Sequence, residues 1–414
     1  MRVLHVLHTS VPALAAGYSV RADYVMRVQR EQGLEPAAVT SAQHQNGETL
    51  HEIVNGFAFW RTESLERRMP VGLRELTLVH RLSARVRTAI REFRPAVVHA
   101  HSPMLVGIPA LLAARSFGLP FVYELRDLWE NPSVDRGKLR EGSALYRAAQ
   151  ISEDYVLHRA DALVTICQTL KDAILPRKGE GVPVYVVDNG VDADRFAPRP
   201  ANESLRARWK LQGKRVVVYL GTFQPYEGVE LLVRSIEGVA RRVPEAHLLI
   251  VGGGGEQPRL VQLARELGLD RRVTFTGRVP HEEVADLFPL GDLFVYPRLL
   301  TRTTALTTPA QAARGDEHGA RGAGQRHPAD ARDRRRARRV GAALQTRRPV
   351  RPRAADRRRP PGPGRARAPR SRGAAVRGRR AHLAAPLRAL RGGLRRGDLA
   401  PERDPLRRHL GCAL

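Results

Sequence analysis

Two stretches carry ionisable side chains where an apolar run ends. "HAHSP" (His99–Pro103) holds two histidines within "AVVHAHS" (Ala96–Ser102), which reads as a buried strand. One imidazole is expected to be buried and the other to face a cleft. His101 lies nearer the carboxyl end, where open α/β sheets bind ligands, and is the expected contact. "YELRDLWE" (Tyr123–Glu130) sets four charges around the end of another strand, "FVYEL". Charge at such a place is costly unless paired or used. Arg126 can hold a phosphate or sugar hydroxyls, and Asp127 or Glu130 can accept hydrogen bonds or a proton. The competing reading is an internal ion-pair network.

Four glycine-bearing loops add weaker signals. "HTSVPALAAGYS" (His8–Ser19) places Gly17 and Tyr18 before a helix, where backbone can approach a ligand and the helix start can receive an anion. "VVDNGVDADRF" puts Asn189 in an Asn-Gly turn, which marks many turns. "YLGTFQPYEGVELL" (Gly221, Thr222) and "LLIVGGGGEQPRL" (Gly253, Gly254) each run strand, glycine loop, helix, a geometry suited to phosphate approach.

The elements that must position these residues form two series. "VLHVL", "AVVHAHS", "FVYEL" and "ALVTIC" are short apolar strands separated by helical stretches. "RVVVYLG", "HLLIVGGGG", "VTFTG" and "LFVYP" repeat the pattern. "VELLVRSIEGVARRVP" has helical spacing at Val229, Leu232, Val233, Ile236 and Val243 and stops at Pro244. Apolar strands joined by helices imply an α/β fold with parallel, doubly wound sheets. The reading is two Rossmann-like domains, 1–188 and 189–309, facing a cleft, followed by a tail, 310–414.

The chain has 70 Lys+Arg against 42 Asp+Glu, a formal charge of +28. The tail alone holds 30 arginines against eight acidic residues, a surplus of 22, which leaves +6 for the first 309 residues. It has no Phe, Tyr, Trp, Ile, Met, Asn or Lys. Such a composition offers little to offset ordering entropy, and the tail is expected to be disordered. Two cysteines, Cys167 and Cys412, suggest neither a disulfide framework nor a metal site. The opening "MRVLHVLHTS" reads as a strand rather than a signal peptide, and no apolar run reaches the roughly 18 residues of a membrane span. A cytoplasmic protein is expected.

Taken in order, these motifs resemble the family-four retaining glycosyltransferases of GT-B fold. The matching pieces are the opening strand with its glycine loop, "VVHAHSP", "FVYELRDLWE", "NGVDADRF", "YLGTFQPYEG", "LLIVGGGG" and "VTFTGRVPHEEVADLFPLGDLFVYPR". They cover residues 1–309, and "ELRDLWE" with "YPR" is similar to members from bacterial exopolysaccharide and exosortase clusters. The resemblance implies that the second domain binds a nucleotide-diphosphate sugar and the first a glycan or lipid-linked acceptor. It implies no cofactor and no metal, the leaving diphosphate being stabilised by cations and helix starts. Read with the strand-end positions above, His101, Arg126 and Asp127 are the candidates for catalysis. Gly17, Tyr18, Glu130, Asn189, Gly221, Thr222, Gly253, Gly254 and Arg298 go to donor or acceptor binding. The Arg and Lys usual after the second domain's first strand are absent from "GTFQPYEG", and Arg298 is the candidate replacement. Arg126 stands where many relatives carry a histidine.

The family's "PLEAM" segment should follow "TTALTTP", and it is missing. Yet codons permitted for "AQAARGDEHGARGAGQRHPADARDR", read one base later, can spell LKPLEAMSMARAVLASDIPPMREIV. A single-base frameshift near codon 310 accounts for the tail, truncates the second domain, and leaves "LFVYP" as an exposed sheet edge. The literal chain is then expected to be impaired. Two rivals remain: a nucleic-acid binder acting through the arginine tail, non-specific for want of stacking aromatics, and a GT-B nucleotide-sugar epimerase or phosphorylase. Residues 61–95, with nine Arg against four Glu, suit contact with an anionic membrane at its inner face or an ordinary solvated helix.

Overall fold

A computed structural model describes residues 1–11, 17–44, 49–65, 69–70, 72–280 and 283–307, with the backbone of 321–324. The first sheet has eight strands: β1 (Arg2–Leu7), β2 (Glu35–Thr40), β3 (His51–Val54), β4 (Phe57–Arg61), β5 (Val97–His101), β6 (Phe121–Leu125), β7 (Ala162–Thr165) and β8 (Val184–Val186). Their order is β3-β4-β2-β1-β5-β6-β7-β8. Only the β3–β4 pair is antiparallel. The crossovers carry α1 (Gly17–Glu31), α2 (Leu73–Phe93), α3 (Met104–Ser116), α4 (Glu130–Asp135), α5 (Ala144–Arg159) and α6 (Gln168–Ile174). The sheet reverses direction of growth between β1 and β5, and that switch point opens a crevice at the carboxyl ends.

The middle strands are apolar because both faces are covered. Every residue of β5 and β6 is buried. α3 lies close on β6 through Gly107, where a β-carbon would come within 2.8 Å of the Tyr123 ring.

The second sheet is wholly parallel, in order β11-β10-β9-β12-β13. It runs α7 (Glu203–Arg208), β9 (Arg215–Thr222), α8 (Val229–Ala240), β10 (Ala246–Gly253), α9 (Gln257–Glu266), β11 (Val273–Gly277), α10 (Val284–Leu287), β12 (Leu293–Tyr296), α11 (Arg302–Leu306) and β13 (Arg321–Gly324). In α8 the expected face is buried at Val229, Leu232, Val233 and Ile236. Val243 differs: the helix ends at Ala240, and Val243 is exposed beyond it.

β12 is not the free edge expected. Leu293–Tyr296 pairs in parallel with Arg321–Gly324. A ladder needs only backbone donors and acceptors, so "RGAG" can complete it without apolar side chains. The rest of the arginine-rich tail lies outside the described residues. α11 leans back onto the first sheet's helices. The Thr303 amide donates to Asp135 Oδ2 at 3.0 Å, and the Cys167 thiol donates to the Leu306 carbonyl at 3.1 Å. Among the described residues, no helix is long and apolar enough to cross a membrane.

Candidate functional site

The parallel register decides which side chains meet. His5 of β1 pairs with His99 of β5, and His101 pairs with Glu124 of β6. His99 and His101 are two apart and therefore share a face. Both are buried, with no division into one core and one cleft imidazole. Their rings stack at 4.6 Å. His5 and Glu124 complete the cluster, and α1 contributes Gln29 and Arg21.

Hydrogen-bond direction fixes the protonation of this cluster. Arg126 Nη2 lies 2.6 Å from His101 Nδ1, and a guanidinium can only donate. His101 Nδ1 therefore holds a lone pair and its Nε2 carries the proton. That Nε2 donates to His5 Nδ1 at 3.0 Å, and His5 Nε2 donates to Gln29 Oε1 at 2.8 Å. Both imidazoles are neutral. Burial pushes His5 down to about 3, with His99 adding to the effect. Burial likewise holds His101 well below the usual histidine range, against the pull of Glu124. Ligand nitrogens of His5, His99 and His101 lie within 4.8 Å of one another, a spacing a metal could bridge. The relay speaks against that use, because the lone pairs of His5 Nδ1 and His101 Nδ1 already accept hydrogen bonds and two arginines adjoin.

Glu124 is the shared counterion. Its Oε1 accepts from Arg21 Nε at 2.9 Å and Arg126 Nε at 3.1 Å. Burial opposes its ionisation, but Arg21 and the other cations prevail and hold the carboxyl well below its usual range. Arg21 also donates to the carbonyls of Val187 and Asp188 and, at 3.3 Å, to Asn189 Oδ1. Arg126 Nη1 donates to the Tyr18 carbonyl. The ion-pair network weighed from sequence is thus present, and Arg126 is part of it.

Asp127 stands apart. Among the described residues no hydrogen bond reaches it. Burial raises it to about 6, Glu130 adding to the rise and Arg136 opposing it. Glu130 is fully buried and accepts from Arg177 Nη1 at 3.0 Å. Behind it Glu153, buried and raised to about 8, accepts from the Tyr123 hydroxyl at 2.7 Å.

The second sheet brings its loops to the same place. Tyr226, in the loop after β9, is pushed up to about 12 by burial, and its hydroxyl feels Arg136 and Asp127 of the first sheet. Gly221 and Thr222 end β9, and Gly253 and Gly254 follow at the end of β10. These glycines have a packing reason too. A β-carbon on Gly252 would lie 1.9 Å from the Gly221 carbonyl oxygen, and one on Gly254 would lie 2.5 Å from that of Phe223. Arg298 is buried. It pairs with Glu227 at 3.4 Å and donates to the Thr307 carbonyl at 3.0 Å. Gly17 opens α1, and the Tyr18 hydroxyl accepts from Thr9 at 3.0 Å. His5, Arg21, Arg136 and Tyr226 escaped the sequence reading, and Glu124 stood there only as one of four charges without a role of its own, because strand adjacency and domain apposition are what place them here.

Two facing Rossmann-like sheets with glycine loops at their carboxyl ends define a GT-B glycosyltransferase fold. Residues 16–190 match the model of the glycosyl transferase 4-like domain, and residues 201–302 match glycosyl transferases group 1. Together they account for more than half of the chain, and the protein belongs to the GT-B glycosyltransferases. It is 34% identical over 139 residues to a GDP-mannose-dependent alpha-(1-6)-phosphatidylinositol monomannoside mannosyltransferase of Mycolicibacterium smegmatis, covering 33% of this chain and 36% of the relative. It is 32% identical over 214 residues to a GDP-mannose-dependent alpha-mannosyltransferase of Mycobacterium tuberculosis, covering 51% and 52%. These alignments span about a third to a half of the relatives' lengths. The fold is similar to Anabaena HepE in complex with UDP-glucose, with TM-score 0.60, 17% identity and coverage of 80% and 82%.

Proposed function

We propose that this protein is built to move a sugar, with retention, from a nucleotide-diphosphate sugar to a glycan or lipid-linked acceptor in exopolysaccharide synthesis. The observation that carries the reading is Asp127, a partly buried carboxylate with no hydrogen bond among the described residues, raised to about 6 at the end of β6 and close enough for its charge to act on Tyr226 of the second domain. A base of that strength is ionised near neutrality and still able to take the proton of an acceptor hydroxyl. Gly221, Thr222, Gly253 and Gly254 receive the donor diphosphate, and Arg298 supplies positive charge as the anomeric bond breaks. Arg126 and His101 hold the crevice floor, Gly17 and Tyr18 border the acceptor, Glu130, fully buried, supports that floor from within through Arg177 rather than touching the acceptor, and Asn189 marks the junction of the domains. The acceptor belongs to the first domain (1–188) and the donor to the second (189–309). No cofactor is required.

A lipid-linked acceptor is supported by α2, which exposes Leu73 and Leu76 on a basic segment suited to the inner face of a membrane. The frameshift reading is part of the proposal. The group 1 match stops at residue 302. The four residues that shift to Ala-Val-Leu-Ala, Arg321–Gly324, are those that pair with β12. Resequencing the coding DNA across codons 307–314 tests this first. A surplus base is expected, and a clean reading would remove the idea. The frame-restored chain should then transfer labelled sugar from GDP-mannose or UDP-glucose, with the 414-residue chain near background. Comparable rates would show that the tail does no harm. An epimerised donor formed without acceptor would replace the transferase reading.

A further inference from the structure

A second polar cluster lies at the carboxyl ends of β1, β2 and β4, its centre four strands from β6 and Arg126. Its centre is Arg61, only 3% exposed. Arg61 Nε donates to Glu52 at 2.6 Å. Its Nη1 donates to Ser10 Oγ at 2.7 Å and Thr40 Oγ1 at 3.3 Å, and the guanidinium lies over the Phe59 ring at 4.2 Å. Among the described residues its Nη2 is buried with no partner, and the hydroxyl of Thr62, the next residue, is likewise buried and unpartnered. The Ser10 amide donates to His44 Nδ1 at 3.4 Å, which leaves a neutral His44 with its Nε2 proton to give.

Buried donors without acceptors are rare in folded proteins and ask for a partner. A guanidinium is a poor choice for filling a core but a good one for an oxyanion, which its forked donors match. The position is informative as well. Neighbouring strands are about 4.8 Å apart, so β4 lies roughly 19 Å from β6, whose end carries Asp127 and the reacting end of the crevice.

We propose that Arg61 Nη2, with His44 beside it, binds a phosphate group carried by the acceptor at its end remote from the reacting hydroxyl. The inference rests on the reading of the first domain as the acceptor domain, and it names the acceptor's chemistry: a phosphate on a body a few sugar units long. The phosphate is either free, on a soluble phosphosugar, or esterified in a lipid headgroup. Glu52 remains on Nε and is one-third exposed, so it steers the anion to the far edge of the guanidinium.

The test is hydrogen exchange of the full-length chain, read on peptides covering residues 57–64, with glycerol 3-phosphate and with glycerol as control. Phosphatidylglycerol vesicles are compared with phosphatidylcholine vesicles in a second arm. Protection by glycerol 3-phosphate assigns a soluble acceptor, and protection by phosphatidylglycerol alone assigns a lipid. Arg61→Gln should weaken either by at least about tenfold, the effect of one charge-assisted hydrogen bond. Arg61→Lys keeps the charge opposite Glu52 and lacks Nη2. It should show the same loss, which guards against a Gln variant that fails to fold. No protection of 57–64, protection confined to the arginine-rich tail, or protection unchanged in Arg61→Lys would overturn the proposal. Exchange does not depend on sugar transfer, so failure of the transferase reading shows separately, as absent transfer of labelled sugar in its own assay with protection of 57–64 intact.

Discussion

Arg126 and His101 set each other's state: the 2.6 Å contact between Nη2 and Nδ1 makes the imidazole an acceptor at that nitrogen. The consequence runs through His5 to the side-chain amide of Gln29, and all of it lies beneath α1.

Nitrogen NMR of the histidines should therefore show His5 and His101 as neutral Nε2–H tautomers at pH 7. His5 should stay neutral until about pH 3. An imidazolium signal from either ring at pH 6 would break the relay.

Glu153 should cost stability as pH rises. Its folded pKa of about 8 is above the unfolded carboxyl value, so the folded state binds more protons between about 4.5 and 8. Stability on this account falls across that window by up to about 1.4 kcal/mol per pH unit. Glu153→Gln keeps an acceptor for Tyr123 and removes the titration. Urea midpoints should favour the variant more at pH 8 than at pH 5, and a constant difference would show that Glu153 is ionised throughout.

The histidines act in the opposite sense. His8, His44 and His247 are each lowered to about 4, chiefly by burial. The unfolded chain takes up protons near pH 6.5 and the folded chain does not, so stability should drop steadily from about pH 6.5 to 4. A thermal midpoint flat over that range would contradict their burial.

Gly252→Ala should be among the most damaging single changes in the second sheet. The backbone sits at φ +125°, and the added carbon meets the Gly221 oxygen at 1.9 Å. A loss above about 3 kcal/mol is expected, from strain and forced separation of β9 and β10. Gly255→Ala, with open space around it, is the control. Equal stability of the two variants would refute this account.

The strands legible from sequence were those buried on both faces, such as "FVYEL" and "HLLIV", because parallel core strands are continuous apolar runs. The β3–β4 hairpin passed unread. "HEIVNGFAFWR" mixes charge with aromatics at a half-exposed edge, and Ile53 is 72% exposed. His101, Arg126 and Asp127 were found because they end apolar runs. His5 stood in plain view inside the first strand, yet its partners are some 95 residues away, and only the β1–β5 register joins them. Arg21 looked like one more charge on a helix. Its role depends on the chain returning past β8, which no local pattern encodes.

Arg21 also sets where the first domain's hold on the chain ends. It fastens the strand exit at Val187, Asp188 and Asn189 to α1 and Glu124. The next residue, Gly190, has no atom within 4 Å of where a side chain would begin. The anchorage of the chain to the crevice floor thus ends at Asn189, and the polypeptide leaves the first domain through a glycine with open space beside it.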